Sequence, residues 1–416
     1  MNIKEKSSYC LSCKSKNCMK GCPLSNDITD AIKYVKEEEY EKAYNKFLET
    51  TVLSSICGRI CPHTKQCQGS CIRGIKGDAV DIGSIEAFVG DYGIQNDIKI
   101  TNFEEYKKID KKVAVIGSGP CGITCAATLK RLGVSKVTLF EKKNYLGGLL
   151  VHGIPEFRLP KDIVDSVYNK IITDLDIEVK LGVELGKDIT IENLMKEYDS
   201  IFLAIGANTS SKMGIPGEEL DGVYGGNELL EYKSFPDFRN KKVVVSGGGN
   251  VAMDTARTIK RLGADKVYVV YRRAEEQMPA EKIEIKEAKL EGIEFIFLNN
   301  IVKIIGKNKV EKIECIKTKL IENQGERPYP VNIEGSNYTI DTDYVVMAIG
   351  SKLDNDVLTE LKRNDWGKIQ IDEKYRTNLN GVYAAGDLAG VKSTVAYASN
   401  SGKEAAKSIY EDLING

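Results

Sequence analysis

The stretch from Val113 to Gly133, VAVIGSGPCGITCAATLKRLG, constrains this chain more than any other. Its apolar run, Val113 to Ile116, reads as a buried parallel strand. Gly117-x-Gly119-x-x-Gly122 then turns the chain into an amphipathic helix. Gly117 permits the tight turn, Gly119 lets the backbone approach a pyrophosphate, and Gly122 lets the helix pack on the strand. The phosphates would sit on free N–H groups at the helix N-terminus, where the helix dipole favours anions. A second strand, Lys136 to Phe140, ends in Glu141. That carboxylate falls 24 residues after Gly117, where a ribose-binding acid belongs. A lone glycine fingerprint is weak. Strand, glycines, helix, strand and acid in register predict a dinucleotide site.

With 416 residues the chain is long enough for two or three domains. Lys and Arg total 59 against 60 Asp and Glu, so no global field draws it to nucleic acid or an anionic membrane. The first residues, Met-Asn-Ile-Lys-Glu-Lys, have no apolar signal core, and no run of 18 apolar residues suggests a membrane span. The expected location is the cytoplasm. Of 11 cysteines, eight lie between Cys10 and Cys71. In such a protein this cluster points to metal rather than disulfides.

Those eight cysteines form two runs. One is Cys10-x2-Cys13-x4-Cys18-x3-Cys22-Pro23, the other Cys57-x3-Cys61-Pro62-x4-Cys67-x3-Cys71. Thiolates bind zinc or iron–sulfur clusters. Zinc ribbons usually pair two C-x2-C steps, and only one occurs here. The two Cys-Pro steps resemble ferredoxin runs, and His63 is the head's only histidine. The spacing therefore favours two 4Fe–4S clusters, with zinc or free thiols as the alternatives. Between the runs, Ile28 to Leu48 shows apolar residues near a helical period. From Asp78 to Tyr106 the composition is mixed and linker-like, with a short helix expected at Ile85–Val89. Glu86, on that helix, is by default a solvated carboxylate.

After Glu141, Gly147 and Gly148 suit a loop pressed against a ligand, and an ordinary turn is the alternative. Ser200 to Gly206 reads as a returning buried strand. A second fingerprint follows. Val243 to Ser246 is its strand, Gly247-x-Gly249-Asn250-Val251-Ala252 its turn, Met253 to Leu262 its helix, and Lys266 to Tyr271 the next strand. Where the first unit carries Glu141, this one carries Arg272 and Arg273. Arginine there accommodates a 2′-phosphate, which an acid would repel. The two folds thus select different dinucleotides. The chain then runs through strand-like segments to Asp343–Gly350. It closes with Gly381-Val-Tyr-Ala-Ala-Gly386-Asp387, Thr394-Val395 and a C-terminal helix. The simplest topology returns this tail to the first nucleotide fold and inserts the second between them.

The sequences GGLLVHGIPEFRLP (147–160), GGGNVAMD (247–254) with Tyr271-Arg272-Arg273, and VYAAGD (382–387) resemble one family. It includes glutamate synthase small subunits, the large subunit of electron-bifurcating ferredoxin:NADP oxidoreductases, and the N-terminal half of dihydropyrimidine dehydrogenase. The resemblance covers nearly the whole chain. It implies an α/β architecture: a helical iron–sulfur head followed by two Rossmann-like domains, with the NADPH domain inserted into the FAD domain. The implied bounds are 1–108 for the head, 109–225 and 347–416 for the FAD domain, and 226–346 for the NADPH domain. FAD would contact Gly117, Gly119, Pro120, Gly122, Glu141, Gly147, Gly148, Arg158, Gly206, Gly386, Asp387, Thr394 and Val395. NADPH would contact Gly247, Gly249, Asn250, Val251, Ala252, Arg272, Arg273 and Gly350. The resemblance also implies that Cys10, Cys13, Cys18 and Cys71 hold one cluster. Cys22, Cys61 and Cys67 would hold the other with Glu86 as fourth ligand, leaving Cys57 spare. Cys121 and Cys125 stand where relatives often have alanine.

The implied chemistry is hydride transfer from NADPH to FAD, then single-electron transfer to the clusters. No acid or base is needed at the hydride step, so no catalytic side chain is assigned. No length remains for a domain that uses the electrons, so a separate accepting subunit is expected. The first reading is the large subunit of glutamate synthase, which makes glutamate from glutamine and 2-oxoglutarate. The alternative is a small ferredoxin–NADP-reductase-like subunit of a bifurcating enzyme. A non-catalytic nucleotide sensor is the alternative of another class.

Overall fold

The computed structural model describes residues 2–232, 235–323, 326–353 and 358–415. The chain divides into two compact units. One comprises 1–151, 156–207 and 355–416; the other comprises 152–155 and 208–354. The second unit is therefore an insertion within the first along the chain.

The first unit holds a five-stranded sheet, all parallel. Its order is Val382–Ala384, Ser200–Leu203, Ile109–Ile116, Val134–Glu141, Glu178–Leu181. Its central strands are buried on both faces from Val113 to Ile116 and from Ser200 to Leu203, as continuous apolar runs in parallel sheets require. The helices Pro120–Arg131 and Val395–Asn415 pack closely together: a Cβ at Gly402 would lie 2.1 Å from the carbonyl oxygen of Cys121. The carboxyl ends of four strands, at Ile116, Glu141, Leu203 and Ala384, thus open toward one edge, where open α/β sheets take their ligands.

The cysteine-rich head belongs to this same unit. The stretch expected as one helix from Ile28 to Leu48 is two, Ile28–Lys36 and Tyr40–Leu48. Glu38 sits at φ 61° between them, a left-handed break. Within the linker-like stretch lies a packed helix, Ile82–Gln95, longer than the short one expected at Ile85–Val89. Glycines on this helix and on helix Ser54–Ile60 serve close packing. A Cβ at Gly58 would lie 2.3 Å from the Ala87 nitrogen, and one at Gly90 2.3 Å from the Ser55 nitrogen. Helix Ser54–Ile60 therefore lies directly on Ile82–Gln95. Arg131, at the end of the fingerprint helix, ties the head down. Its guanidinium donates to the carbonyls of Leu48 at 2.5 Å and Thr101 at 2.9 Å and lies over the Phe103 ring.

The second unit holds its own five-stranded parallel sheet. The order is Val223–Gly225, Tyr344–Met347, Lys242–Ser246, Lys266–Tyr271, Glu294–Phe297. Alternate residues serve its two faces. Val243, Val245, Val267 and Val269 pack with Met253, Ala256 and Ile259 of helix Asn250–Arg261. Val244, Val270 and Val345 pack with Ile301, Ile304 and Ile313 of an antiparallel sheet. The segment expected to be strand-like throughout also contains a helix, Lys282–Leu290, which buries Ile285 and Ala288. No helix among the described residues is long and apolar enough to cross a membrane.

Candidate functional site

The first fingerprint forms a cradle. Gly117 adopts φ 101°, and a Cβ there would meet the Ala204 carbonyl oxygen at 2.5 Å. A Cβ at Gly122 would lie 1.8 Å from the Gly117 oxygen, so only hydrogen fits. Gly119, in contrast, faces open space, with nothing within 4 Å of a built Cβ. Pro120 opens the helix, where its missing N–H costs nothing. This combination suits a pyrophosphate approaching the backbone at the helix N-terminus.

Glu141 is buried beside this cradle. One carboxylate oxygen accepts from the Ser118 N–H at 3.0 Å and its hydroxyl at 2.6 Å; the other accepts from the Lys143 N–H at 2.9 Å. Ser118 in turn accepts from the Gly147 N–H at 3.0 Å through its hydroxyl, and from the Tyr168 hydroxyl at 3.0 Å through its carbonyl. A Cβ at Gly148 would come within 3.0 Å of the Gly119 Cα, which places this loop against the cradle. The organising roles of Ser118 and Tyr168 were not foreseen, although Ser118 lies inside the fingerprint itself. Arg158 is half-buried in the segment before helix Lys161–Leu175, and Gly206 follows strand Ser200–Leu203 at φ 73°.

The C-terminal segment joins the same site. Gly386 adopts φ 69° against Cys121, the second residue of the fingerprint helix, and donates its N–H to the Ser401 hydroxyl at 3.2 Å. Burial pushes the neighbouring Asp387 carboxyl up, against a hydrogen bond from Ser393. Val395 begins the C-terminal helix, and Thr394 immediately precedes it. Cys121 and Cys125 are buried free thiols, both raised by burial.

In the second unit Gly247 adopts φ 143°, and Ala252 takes the third position of the fingerprint. Gly249 faces nearly open space, and Asn250 and Val251 begin the helix. The Asn250 side-chain oxygen accepts from the Glu281 N–H at 3.0 Å, which turns its amide nitrogen away from that bond. Gly350 follows strand Tyr344–Met347 at φ 135°. Arg272 is exposed. Arg273 is half-buried, and its Nε donates to the Pro328 carbonyl at 2.8 Å. Arg327, on the adjacent strand Glu326–Asn332, bonds the Tyr271 hydroxyl and the Gln277 carbonyl. Nothing in the fingerprint spacing announces that third arginine.

In the head, Cys10, Cys13, Cys18 and Cys71 line one cavity together with Thr29, Ile32, Val80 and Ile82. The Cys18 sulfur lies 3.6 Å from the Thr29 hydroxyl. A second group comprises Cys22, Cys61, Cys67 and Glu86, all within electrostatic reach of one another. Burial pushes the Cys22 thiol up to about 12 and the Glu86 carboxyl up to about 8. Glu86 is not the solvated carboxylate of the default reading, because the glycine-mediated helix contact turns it inward, where it is 4% exposed. Cys57 belongs to this group too and hydrogen-bonds Cys61. The structure thus brings five donors together where the family pattern uses four. Buried acidic groups crowded together in this way suit a cationic metal centre. Among the described residues, no three His, Cys, Asp or Glu side chains approach closely enough to hold a single metal ion. A four-iron cube spreads its thiolates more widely than one ion does.

The two groups of sites meet. The Gln66 amide donates to the Thr394 hydroxyl at 3.5 Å, and the Ala396 N–H reaches the Cys61 sulfur. The second cysteine group therefore borders the C-terminal segment of the first nucleotide site. Asn26, Thr50 and Gln66 contribute here, and no sequence motif marks any of them.

Fold and site together define a pyridine-nucleotide oxidoreductase with an iron–sulfur head. Residues 106–405 match the pyridine nucleotide-disulphide oxidoreductase family, and residues 1–98 match the dihydropyrimidine dehydrogenase domain II, 4Fe-4S cluster, family. The solved structure of Mycobacterium tuberculosis FprA in complex with NADPH shares the fold at TM-score 0.67 and 20% identity, covering 74% of this chain and 85% of that one. The glutamate synthase (NADPH) small chain of Escherichia coli (strain K12) is 33% identical, across 98% of this chain and 90% of its own length. The NADP(+)-dependent formate dehydrogenase subunit beta of Moorella thermoacetica is 34% identical, across 96% of this chain and 60% of its own. The chain belongs to the glutamate synthase small-chain family of oxidoreductases.

Proposed function

We propose that this chain is the electron-input subunit of a glutamate synthase, located in the cytoplasm. When bound, NADPH supplies a hydride to FAD, and FAD with two 4Fe–4S clusters turns the electron pair into single electrons for a separate large subunit. The FAD domain is assigned to 109–225 and 347–416, the NADPH domain to 226–346, and the head to 1–108.

Each group of residues has a distinct task in this reading. The cradle at Gly117–Gly122 and the carboxylate of Glu141 hold the FAD pyrophosphate and ribose. Asp387, Thr394 and Val395 close over its other half. Arg272 and Arg273 read the 2′-phosphate of NADPH. Cys10, Cys13, Cys18 and Cys71 hold the outer cluster; Cys22, Cys61, Cys67 and Glu86 hold the inner one. The observation that carries the reading is the pair of contacts from Thr394 and Ala396 to Gln66 and Cys61, because it sets the flavin segment against the second donor group. The unpaired cysteines suit a reducing compartment.

The test is reconstitution. Anaerobic NADPH should bleach the bound flavin. With an added glutamate synthase large subunit, NADPH oxidation should then depend on glutamine and 2-oxoglutarate. Co-purification with a small flavin and iron–sulfur subunit, and NADH-dependent ferredoxin reduction, would instead identify the bifurcating enzyme.

A further inference from the structure

Asn26 is 1% exposed and lies 60 residues before Glu86 in sequence, yet its amide nitrogen donates to Glu86 Oε1 at 3.1 Å. The Thr50 hydroxyl donates to the Asn26 amide oxygen at 2.5 Å. The chain of donors has one direction. A carboxylate that serves as a ligand is ionised and only accepts, so the amide presents its NH2 to Glu86. Its oxygen then faces Thr50, which must donate. Oε1 is the Glu86 oxygen that the Asn26 bond holds. One oxygen of the carboxylate is thus held, on a side chain within electrostatic reach of Cys22, Cys61 and Cys67.

We propose that Asn26 is a positioning residue for the inner iron–sulfur cluster, fixing which oxygen of Glu86 is offered as ligand, with Thr50 fixing the orientation of Asn26. This rests on the reading of Glu86 as a cluster ligand. The physical reason is general: a ligating carboxylate is oriented by the group that hydrogen-bonds its other oxygen, and loss of such a partner weakens metal binding by about 10- to 100-fold. A carboxylate on a helix has several rotamers, and the surrounding thiols are poor donors that would not select among them.

The test uses the full chain purified anaerobically with flavin and clusters bound. Asn26→Asp keeps the shape and removes the donor. Thr50→Val keeps the shape and removes the hydroxyl. Glu86→Ala serves as reference. Iron release to a chelator and the EPR spectrum of the reduced protein are read for each, with flavin content as the folding control. Asn26→Asp should release the inner cluster's iron about 10- to 100-fold faster and alter its EPR signal, leaving the outer cluster's signal unchanged. Thr50→Val should move both in the same direction by less, and it carries the test if Asn26→Asp does not fold. Wild-type behaviour of both variants, beside a Glu86→Ala protein that loses the inner cluster, would overturn the role of Asn26 and leave the ligand reading standing. A Glu86→Ala protein with wild-type iron and spectrum would overturn the ligand reading and the positioning role together.

Discussion

Glu141 binds both hydrogens of Ser118, the backbone N–H at 3.0 Å and the hydroxyl at 2.6 Å, with a single carboxylate oxygen. The acid at the end of the second strand therefore holds the fingerprint loop in shape, in addition to the ribose contact proposed for it. Hydrogen bonds to a buried charge contribute roughly 1.5–3 kcal/mol each. Glu141→Arg should lose FAD and lower the thermal midpoint. Ser118→Ala should loosen FAD less, because the Glu141 carboxylate remains. The flavin-to-protein ratio after gel filtration measures both, and full retention in Glu141→Arg would contradict this arrangement.

Nucleotide choice should rest unequally on the two arginines. Arg273 is anchored to Pro328, whereas Arg272 is exposed. A charge-assisted contact to a 2′-phosphate is worth roughly 1.5–3 kcal/mol, or about a 10- to 100-fold preference, at the lower end where solvent screens it. Anaerobic flavin reduction should need less NADPH than NADH. Arg272→Ala should remove most of that preference, Arg273→Ala less, and the double variant should still respond to NADH. Equal response of the wild type to both nucleotides would sink the assignment.

Iron content separates the cysteines. Two cubane clusters predict about eight irons per chain. Cys57→Ala should retain them, while Cys10→Ala or Cys61→Ala should lose or damage one cluster. The structure makes this a demanding test, because Cys57 is buried and bonded to Cys61. If Cys57→Ala lost iron and Glu86→Ala did not, Cys57 would be the ligand.

Stability toward acid should depend on Asp412. Its carboxylate accepts from Arg376 at 2.5 and 2.8 Å and from the Tyr383 hydroxyl at 2.6 Å, fastening the C-terminal helix to strand Val382–Ala384. Arg376 holds its carboxyl below the usual range. A depressed folded value stabilises above the unfolded value, near about 4, and that contribution is lost as pH falls through the folded value. Asp412→Asn should cost about 1 kcal/mol at pH 7, given the partial exposure of the pair. In thermal unfolding, the gap between variant and wild type should narrow below about pH 4.

Both nucleotide folds were legible in sequence because their signals are local. Gly117, Gly119, Gly122 and Glu141 fall within one βαβ unit, and so do Gly247, Gly249, Ala252 and Arg272. The head was less legible because its key contacts are not local. Glu86 read as solvated since nothing near it in sequence shows that Gly58 and Gly90 press two helices together. Glycine disfavours a helix interior by propensity, and here tertiary packing outweighs that preference. Asn26 met Glu86 only through the fold, and Arg327 reached Tyr271 by the same route.

The edge strand Val382–Ala384 completes the first sheet by pairing with Ser200–Leu203, and almost the whole second unit lies between them in sequence. On the ribosome these parts emerge in a fixed order. The cysteine runs come out first, the inserted unit is finished next, and the strand that closes the first sheet comes last. Domains generally fold as units during synthesis. The inserted unit can thus be native while the proposed flavin site still lacks Gly386, Asp387 and Thr394. Flavin loading is in this sense a step of release: a chain stalled before its last few dozen residues would bear a finished pyridine-nucleotide fold and no closed place for the cofactor that fold is to reduce.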